Sequence, residues 1–289
     1  MAKGSSYDAL LRDTAVALTA AGIDNARFEA RLLLAQASGF TIEQLVARGT
    51  DEVPAAVAES ARSLTARRVR REPMAYILGE REFWGLPFKV SPAVLVPRPD
   101  SETLIEAVLA LMPDCARAWR ILDLGLGSGC LLLTLLREYP QAHGVGLEAS
   151  PEALAIAQEN AGALGVADRA RLLAGDWRRP GWIERLDGPF DLVVSNPPYI
   201  ASAAVPRLMP EVSSFEPRLA LDGGAEGFDA YHTLIAASPR LVTAGGFMAV
   251  EAGEGQATEI ARLFAAAGLM PRAPWKDLGG IDRVVTAGN

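Results

Sequence analysis

One apolar run of the chain ends in "SNPPYI", residues 195–200, which places an amide, two prolines and an aromatic ring in succession. Because proline has no backbone N–H, strand pairing has to stop here. A substrate –NH2 group could give one hydrogen to the Asn196 side-chain oxygen and the other to the Pro197 carbonyl. Pro198 fixes the turn, and Tyr199 would pack on the flat face of the target. Two such acceptors stabilise the positive charge that develops as the nitrogen attacks an electrophile.

A glycine-rich loop, "DLGLGSGC", follows another apolar run. Glycines at every second residue let a ligand approach the backbone at the start of a helix. Glu148 ends the next apolar run, a place from which a carboxylate can accept two ribose hydroxyls. The loop and Glu148 together predict a site for an adenosine-containing cofactor. The loop residues concerned are Asp123, Gly125, Leu126, Gly127, Ser128 and Gly129.

The loop also favours one class of cofactor. A dinucleotide fingerprint would have its third glycine where Cys130 stands. Asp123, two residues before the first glycine, suits a ligand with a positive amino group and would repel a pyrophosphate. This pattern favours S-adenosylmethionine. Further along, "AGDW" places Asp176 where it could accept from the adenine amino group and Trp177 where it could cover the ring. A purely structural core tryptophan is the alternative interpretation of Trp177.

These residues have to be positioned by a sheet. From residue 119 onward, strand-like and helix-like segments alternate, which predicts a parallel sheet covered by helices on both faces and closed by an antiparallel edge. Ligands bind at the carboxyl ends of such strands, so the glycine loop, Glu148 and Asn196 should surround one crevice.

The first third of the chain has a different pattern. Residues 5–71 show apolar positions at spacings of three and four, which predicts a small helical domain. Residues 75–97 change to short apolar runs broken by glycine and proline, which predicts a hairpin between two domains. A helix should then begin near Asp100 or Ser101, with one of them as its cap.

Composition limits the class of protein. The 289 residues are 50% hydrophobic and 22% charged, which is typical of a globular protein with one large or two smaller domains. Two cysteines and two histidines predict neither a disulfide framework nor a metal site. The start has no signal-peptide pattern and no run is long enough for a membrane span, so we expect a cytoplasmic protein without membrane attachment.

The charge distribution bears on partners. A net charge of −7 argues against a nucleic-acid-binding surface, because such surfaces are basic. One local exception is "ARSLTARRVRRE", residues 61–72. Its arginines have two interpretations: a solvated helix face, or a contact face for an acidic partner.

With these motifs in place, the sequence resembles the release-factor glutamine methyltransferases, the HemK/PrmC family, within the class I S-adenosylmethionine-dependent methyltransferases. The stretches that carry the resemblance cover residues 21 to 285. They are "AGIDNARFEARLLLA", "PMAYILGEREFWGLPFKVSPAVLVPRPDSETLIE", "DLGLGSGC", "GDW", "FDLVVSNPPYI", "FEPRLALDGGAEGFDAY" and "GGIDRVV". Two positions depart from the usual family pattern: Leu126 replaces Thr, and Glu148 replaces Asp.

The resemblance implies methylation of the glutamine amide in the Gly-Gly-Gln loop of peptide chain release factors. It implies a helical substrate-recognition domain at residues 1–72, a β-hairpin linker at 73–97 and a Rossmann-like methyltransferase domain with a seven-stranded sheet at 98–289. By the same resemblance the loop, Glu148 and Trp177 would hold the cofactor, and Asn196 to Tyr199 the glutamine. We expect Asn196 to contact the cofactor as well. We expect a monomer.

Alternative functions share parts of this pattern. A glutamine methyltransferase acting on a ribosomal protein would share the active site, and an adenine-N6 methyltransferase would share "NPPY". The acidic net charge counts against the latter. A non-catalytic S-adenosylmethionine sensor would not need "NPPY", and Asp123 with Cys130 argues against a dehydrogenase.

Overall fold

A computed structural model describes residues 5–289. The helices are α1 (Tyr7–Ala20), α2 (Ala26–Ser38), α3 (Ile42–Ala47), α4 (Ala55–Val69), α5 (Met74–Leu78), α6 (Glu102–Leu111), α7 (Cys130–Glu138), α8 (Pro151–Ala163), α9 (Pro210–Ser213), α10 (Asp229–Leu241) and α11 (Ala257–Ala266). The strands are β1 (Glu80–Phe83), β2 (Leu86–Lys89), β3 (Arg120–Leu124), β4 (His143–Glu148), β5 (Ala170–Ala174), β6 (Phe190–Ser195), β7 (Val242–Glu251), β8 (Met270–Pro271), β9 (Trp275–Lys276) and β10 (Asp282–Gly288). Short 3-10 turns occupy Pro99–Ser101, Ala167–Arg169, Ile183–Arg185, Val205–Arg207 and Arg218–Ala220.

The chain forms two compact units. The first contains the described residues up to Gly79 together with Met209–Phe215, and the second contains Glu80–Leu208 and Glu216–Asn289. The first unit is helical, as the apolar spacing predicts. Among residues 5–289 no helix is long and apolar enough to cross a membrane.

The arginines at the end of α4 are used inside the first unit. Arg68 is 6% exposed and pairs with Glu29 at 2.6 Å and with Glu211 at 2.9 Å. Arg71 also pairs with Glu211, at 2.8 Å. The prediction of a solvated face is therefore wrong for Arg68. A buried guanidinium needs carboxylate partners, and Glu211 supplies one from far along the chain.

Two other arginines of this stretch are exposed, namely Arg62 and Arg70. They are the residues of the "ARSLTARRVRRE" stretch that remain available for an acidic partner. Arg67 forms an ion pair with Glu72 at 2.5 Å, so it too is engaged within the unit.

The predicted hairpin is shorter than residues 75–97. Strands β1 and β2 pair antiparallel from Glu80 to Lys89, whereas Met74–Leu78 forms helix α5. Pro73 precedes this helix and Gly79 ends it in a left-handed conformation, which explains why a short apolar run is helical here. The hairpin belongs to the second unit, and its Phe83 and Phe88 are packed in the core of that unit.

The main sheet has the order β5-β4-β3-β6-β7-β10, followed by β8 and β9, which both pair with the outer side of β10. Strands β3 to β7 pair in parallel, and β10 runs antiparallel to β7. The predicted mostly parallel sheet with an antiparallel edge is thus confirmed, with eight strands where seven were predicted. Its seventh position is shared by the two-residue segments β8 and β9.

Two apolar cores lie on opposite faces of this sheet. Alternate residues of a strand point to opposite faces, so Ile121 of β3 packs in one core and Leu122 in the other. Residues of α6, α7 and α8 fill the first core, and residues of α10 and α11 fill the second. This doubly covered sheet brings the carboxyl ends of β3, β4, β5, β6 and β7 to one edge.

Candidate active site

The glycine loop connects β3 to α7 with three left-handed residues. Gly125, Gly127 and Gly129 have φ of 84°, 54° and 83°. A Cβ on Gly125 would lie 2.8 Å from Cη2 of Trp177, and one on Gly129 would lie 2.8 Å from Cδ1 of Leu133. A Cβ on Gly127 would meet nothing within 4 Å. Packing therefore requires the two outer glycines, and the middle one leaves the backbone open to a ligand.

Glu148 ends β4 directly beside the loop. Its Oε2 accepts from the Gly127 N–H and its Oε1 from the Ser150 N–H, both at 2.9 Å. These two bonds fix the carboxylate, which still has unused lone pairs on both oxygens. Two neighbouring hydroxyls of a ribose are a suitable pair of donors for them.

Asp123 has a different environment from the one expected. It is 1% exposed and does not contribute to the cavity wall formed by the described residues. Its Oδ2 accepts from the N–H of Leu132 in the first turn of α7, where Gly129 has no side chain to cap the helix. Burial raises the pKa of Asp123 to about 7, an effect that the Leu132 N–H opposes and the charge of Glu148 increases. The carboxyl group thus supports the helix that follows the loop, and a direct cofactor contact stays a prediction.

Asp176 and Trp177 follow β5 at the same edge of the sheet. The Asp176 carboxylate accepts from Arg178 Nε at 2.8 Å and Nη2 at 2.9 Å, and this contact holds its pKa below the ordinary value. Its oxygens are therefore shared with an arginine. The Trp177 ring lies against Gly125 and packs on one of the two cores. The tryptophan covers the loop, and its contact with an adenine stays a prediction.

The turn after β6 packs against the "LDGGAEGFDAY" segment, residues 221–231. Ile200 exchanges backbone hydrogen bonds with Leu221 and Gly223. A Cβ on Gly223 would lie 2.7 Å from the Pro198 carbonyl oxygen, and one on Gly227 would lie 2.4 Å from the Tyr199 carbonyl oxygen. Glycines in this segment therefore let two pieces of backbone lie in direct contact, which gives the turn a fixed position.

A hydrogen-bond network orients the side chains of this turn. Asn196 Nδ2 donates to Ser101 Oγ at 3.2 Å, and the Ser101 hydroxyl donates to Glu251 Oε2. The Tyr199 hydroxyl donates to Glu251 Oε1 at 3.1 Å. The register of the sheet explains why Asn196 and Glu251 lie close together, because the residues before them, Ser195 of β6 and Val250 of β7, pair with each other. Asn196 and Glu251 therefore leave the two strands side by side.

Ser101 occupies the N-cap position of α6, as predicted, but its side chain does not cap the helix. A 3-10 turn at Pro99–Ser101 precedes α6, and the Ser101 side chain makes no capping hydrogen bond. Its hydroxyl faces Glu251 instead. Sequence reasoning missed Glu251 although "GFMAVE" ends with a carboxylate at the same sheet edge as Glu148, which is the signal that could have found it.

The sequence predicts that Arg98 and Pro99 close one side of the site, without a chemical role; Arg98 lines the cavity and forms an ion pair with Glu216, whereas Pro99 does not line it. The Arg98 Nη2 lies 2.5 Å from Glu216 Oε1, and the Glu216 side chain is 1% exposed. Burial raises the pKa of Glu216, and the charge of Arg98 only partly offsets this. The pair joins the "PRPDSE" and "FEP" stretches at the wall of the cavity.

All these elements surround one cavity of about 790 Å³ in the second unit. The predicted residues that line it are Gly125, Leu126, Gly127, Ser128, Glu148, Asp176, Trp177, Asn196 and Pro198. Four other predicted residues do not line it, namely Asp123, Gly129, Pro197 and Tyr199. The open backbone at Gly127, the lone pairs of Glu148 and the buried Ser128 hydroxyl, which has no partner among residues 5–289, fit the polar groups of S-adenosylmethionine.

Leu126, which replaces the Thr usual in the family, is 3% exposed and belongs to one of the cores. A Cβ on Gly146 of β4 would lie 2.7 Å from its Cδ1. The leucine therefore fills the space above a glycine, and this departure alters core packing. Among residues 5–289 no group of His, Cys, Asp and Glu is arranged to hold a metal ion.

Comparisons with known proteins agree with this architecture. Residues 9–79 match the family described as the PrmC N-terminal domain, and residues 121–215 match the family described as a methyltransferase domain. A methyltransferase of known structure from Pyrococcus furiosus has a TM-score of 0.52 and 17% identity, over 80% of this chain and 98% of that chain. This last similarity concerns the fold alone.

Curated relatives extend over the whole chain. The release factor glutamine methyltransferase of Bradyrhizobium diazoefficiens is 45% identical over 98% of this chain and 95% of its own length. The one from Rhodospirillum rubrum is 44% identical over 93% of this chain and 81% of its own length. Identity of this extent, together with the matched N-terminal domain and the cavity beside "NPPY", shows that the chain belongs to the release factor glutamine methyltransferase family.

Proposed function

We propose that this protein transfers a methyl group from S-adenosylmethionine to the side-chain amide nitrogen of the glutamine in the Gly-Gly-Gln loop of peptide chain release factors. The observation that carries the proposal is the orientation of Asn196. Its nitrogen is occupied by Ser101, so its oxygen, which accepts no hydrogen bond among residues 5–289, is available to an incoming –NH2 group.

The chemical task of the protein is to position a weak nucleophile. An amide nitrogen is unreactive because its lone pair is delocalised into the carbonyl group. The Asn196 oxygen, and the Pro197 carbonyl as predicted from sequence, would accept its two hydrogens and stabilise the positive charge that grows on it. Tyr199 would support this pair of acceptors through its place in the same turn. Positioning of this kind removes the need for a strong base before transfer.

The other half of the cavity would hold the cofactor. When bound, S-adenosylmethionine supplies a methyl group on a positively charged sulfur. Glu148 would accept from the ribose hydroxyls, and the backbone at Gly127 would lie against the ligand. Trp177 and Asp176 would border the adenine. The largely apolar cavity would exclude water from the reacting groups.

We propose further that the helical first unit recognises the protein substrate. A glutamine and two glycines offer little that a site can distinguish, and the flexible loop that carries them has to be ordered on entry. Additional contact area is therefore needed. Exposed Arg62 on α4 and Arg70 directly after it would contribute contacts to an acidic surface. We also propose a cytoplasmic monomer without a nucleic-acid partner; the net charge of −7 supports the absence of a nucleic-acid partner, because surfaces that bind nucleic acids are basic.

Mass spectrometry of a purified release factor after incubation with enzyme and S-adenosylmethionine tests the proposed function. We expect the mass increase of one methyl group on the peptide that contains Gly-Gly-Gln, located on the glutamine. A large-subunit ribosomal protein and an adenine-containing oligonucleotide serve as competing substrates in parallel reactions. Methylation of either competitor, with an unmodified release factor, would contradict the proposal.

A further inference from the structure

Glu251 is a buried carboxyl group that lies behind the cavity. It is 1% exposed and forms no salt bridge among residues 5–289. Burial raises its pKa, an effect that hydrogen bonds from Ser101 and Tyr199 oppose. The charge of Arg283 also favours the ionised form, but a buried carboxylate without a salt bridge remains costly, and an apolar side chain would serve the stability of β7 better. Its presence calls for a functional explanation.

The hydrogen bonds around Glu251 have a fixed direction. A carboxylate can only accept, so the single hydroxyl proton of Ser101 is committed to Glu251 Oε2. The Ser101 oxygen can then act only as an acceptor. It therefore selects the nitrogen end of the Asn196 amide, whose Nδ2 donates to it at 3.2 Å. The Tyr199 hydroxyl occupies the other carboxylate oxygen at 3.1 Å and holds it in place.

The direction of these hydrogen bonds decides which end of the Asn196 amide faces the substrate. With nitrogen toward Ser101, the Asn196 oxygen faces outward and can accept from a substrate –NH2 group. In the flipped amide, two –NH2 groups would face each other and the acceptor would be lost. A carboxylate at position 251 and a hydroxyl at position 101 favour the first arrangement.

We propose that Ser101 and Glu251 are positioning residues that fix the Asn196 amide with its oxygen toward the substrate, an inference that rests on the proposed amide-methylating function. Glu251 does not line the cavity, whereas Ser101 does, with its hydroxyl engaged by Glu251 and Asn196. Each acts through Asn196, and Glu251 acts through Ser101.

The isosteric change Glu251→Gln tests the direction of the hydrogen bonds from Glu251 through Ser101 to Asn196. Tyr199 keeps its donation to the remaining oxygen of residue 251, so the new –NH2 group faces and donates to Ser101, whose proton then turns to the Asn196 oxygen and flips that amide. We expect kcat to fall roughly 100- to 1,000-fold, the effect of removing one group that stabilises developing charge. S-adenosylmethionine affinity should be unchanged. Because the variant removes a buried charge, its melting temperature should not be lower than that of the wild type.

The change Ser101→Ala should be milder. It leaves both orientations of the Asn196 amide accessible, so roughly half the molecules remain competent and kcat falls about two-fold. The double variant Ser101→Ala/Glu251→Gln is decisive. Without Ser101 no hydroxyl proton can turn to the Asn196 oxygen and flip the amide, so the double variant should be more active than Glu251→Gln alone. A merely structural role of Glu251 cannot produce such a rescue.

A measurement without turnover separates this inference from the proposed function. The chain has four asparagines, so selective 15N-asparagine labelling gives four side-chain amide pairs. The Asn196 pair, assigned by its loss in Asn196→Ala, should exchange slowly with solvent in the wild-type protein. In Glu251→Gln it should exchange faster, because the –NH2 group turns toward the cavity.

Thr134→Val is the matched control. Thr134 is fully buried in α7 and its hydroxyl has no partner among residues 5–289, so this variant also changes a buried polar group. We expect wild-type kcat and exchange. Wild-type kcat in Glu251→Gln, losses that add in the double variant, or unchanged Asn196 exchange would each overturn the inference. Absence of methylation by the wild-type enzyme would instead overturn the proposed function, and the exchange test would remain valid.

Discussion

The change Glu148→Gln should weaken the binding of S-adenosylmethionine while the protein stays folded. Glu148 accepts two backbone N–H groups, from Gly127 and Ser150, both at 2.9 Å. A glutamine keeps one acceptor oxygen, but its –NH2 group has to face the other N–H donor. One charge-assisted hydrogen bond is lost, the second becomes a neutral one, and the backbone at Gly127 is no longer held.

The backbone hydrogen bonds of Glu148 are present with and without the cofactor, so the change in affinity comes from the hydrogen bonds that the ribose hydroxyls would donate to its carboxylate. A hydrogen bond to a charged group contributes about 1.5–3 kcal/mol. Loss of one such contribution in the bound state corresponds to a dissociation constant raised roughly 10- to 150-fold. Because Glu148 lies at the cofactor end of the cavity, kcat at saturating S-adenosylmethionine should change by much less.

Isothermal titration calorimetry with S-adenosylmethionine measures this effect, and circular dichroism verifies folding. Glu159→Gln is the matched control, because Glu159 is an exposed carboxylate that pairs with Lys89 away from the cavity. Its affinity should equal that of the wild type. If Glu148→Gln binds S-adenosylmethionine as tightly as the control does, Glu148 is not a cofactor ligand and the reasoning from the strand end is refuted.

Three further predictions concern other parts of the chain. Glu211→Gln should lower the free energy of unfolding by about 1–3 kcal/mol at neutral pH. Burial raises the pKa of Glu211, but the contacts with Arg71 and Arg68 outweigh it and hold the pKa below its ordinary value. The advantage of the wild type over the variant should therefore be lost as the pH falls from the ordinary pKa through the lowered one, which melting curves at several pH values would test. Gly223→Ala should abolish methyl transfer but preserve S-adenosylmethionine binding, since its Cβ would lie 2.7 Å from a carbonyl oxygen of the "NPPY" turn; equal kcat in steady-state assays would contradict this. Arg62→Glu/Arg70→Glu should raise KM for an intact release factor and leave KM for a Gly-Gly-Gln peptide unchanged; parallel changes in both constants would argue against recognition by these two arginines.

Much of the site could be predicted because it depends on local signals and one topological rule. Ser150 caps α8 and Pro151 occupies its first position, as the sequence indicates. Glu148 and Asn196 each follow an apolar run, and the carboxyl ends of parallel strands lie at one edge. The cavity is lined by both, so the sequence-based placement of these two residues around one crevice is confirmed.

The remaining features depend on contacts that no local pattern reveals. Ser101 lies 150 residues from Glu251, and its position before a helix made a cap the more natural interpretation. Asp123 precedes the glycine loop, yet its carboxyl group turns toward the N-terminus of α7, where a glycine leaves the helix uncapped. The helix Met74–Leu78 is one turn long, too short for its apolar spacing to be distinguished from that of a strand.

The ion pairs of Glu211 have a consequence for inheritance. Arg68 and Glu211 are 143 residues apart in the chain, yet they lie in the same compact unit with Arg71 and Glu29. The helical unit is therefore encoded in two separate pieces of the gene. A recombination that exchanged only the first piece would place a foreign helix against the native Glu211, and an uncompensated buried charge would follow wherever the arginines differ. Viable chimaeras should carry both pieces from one parent, so the two segments should be inherited together.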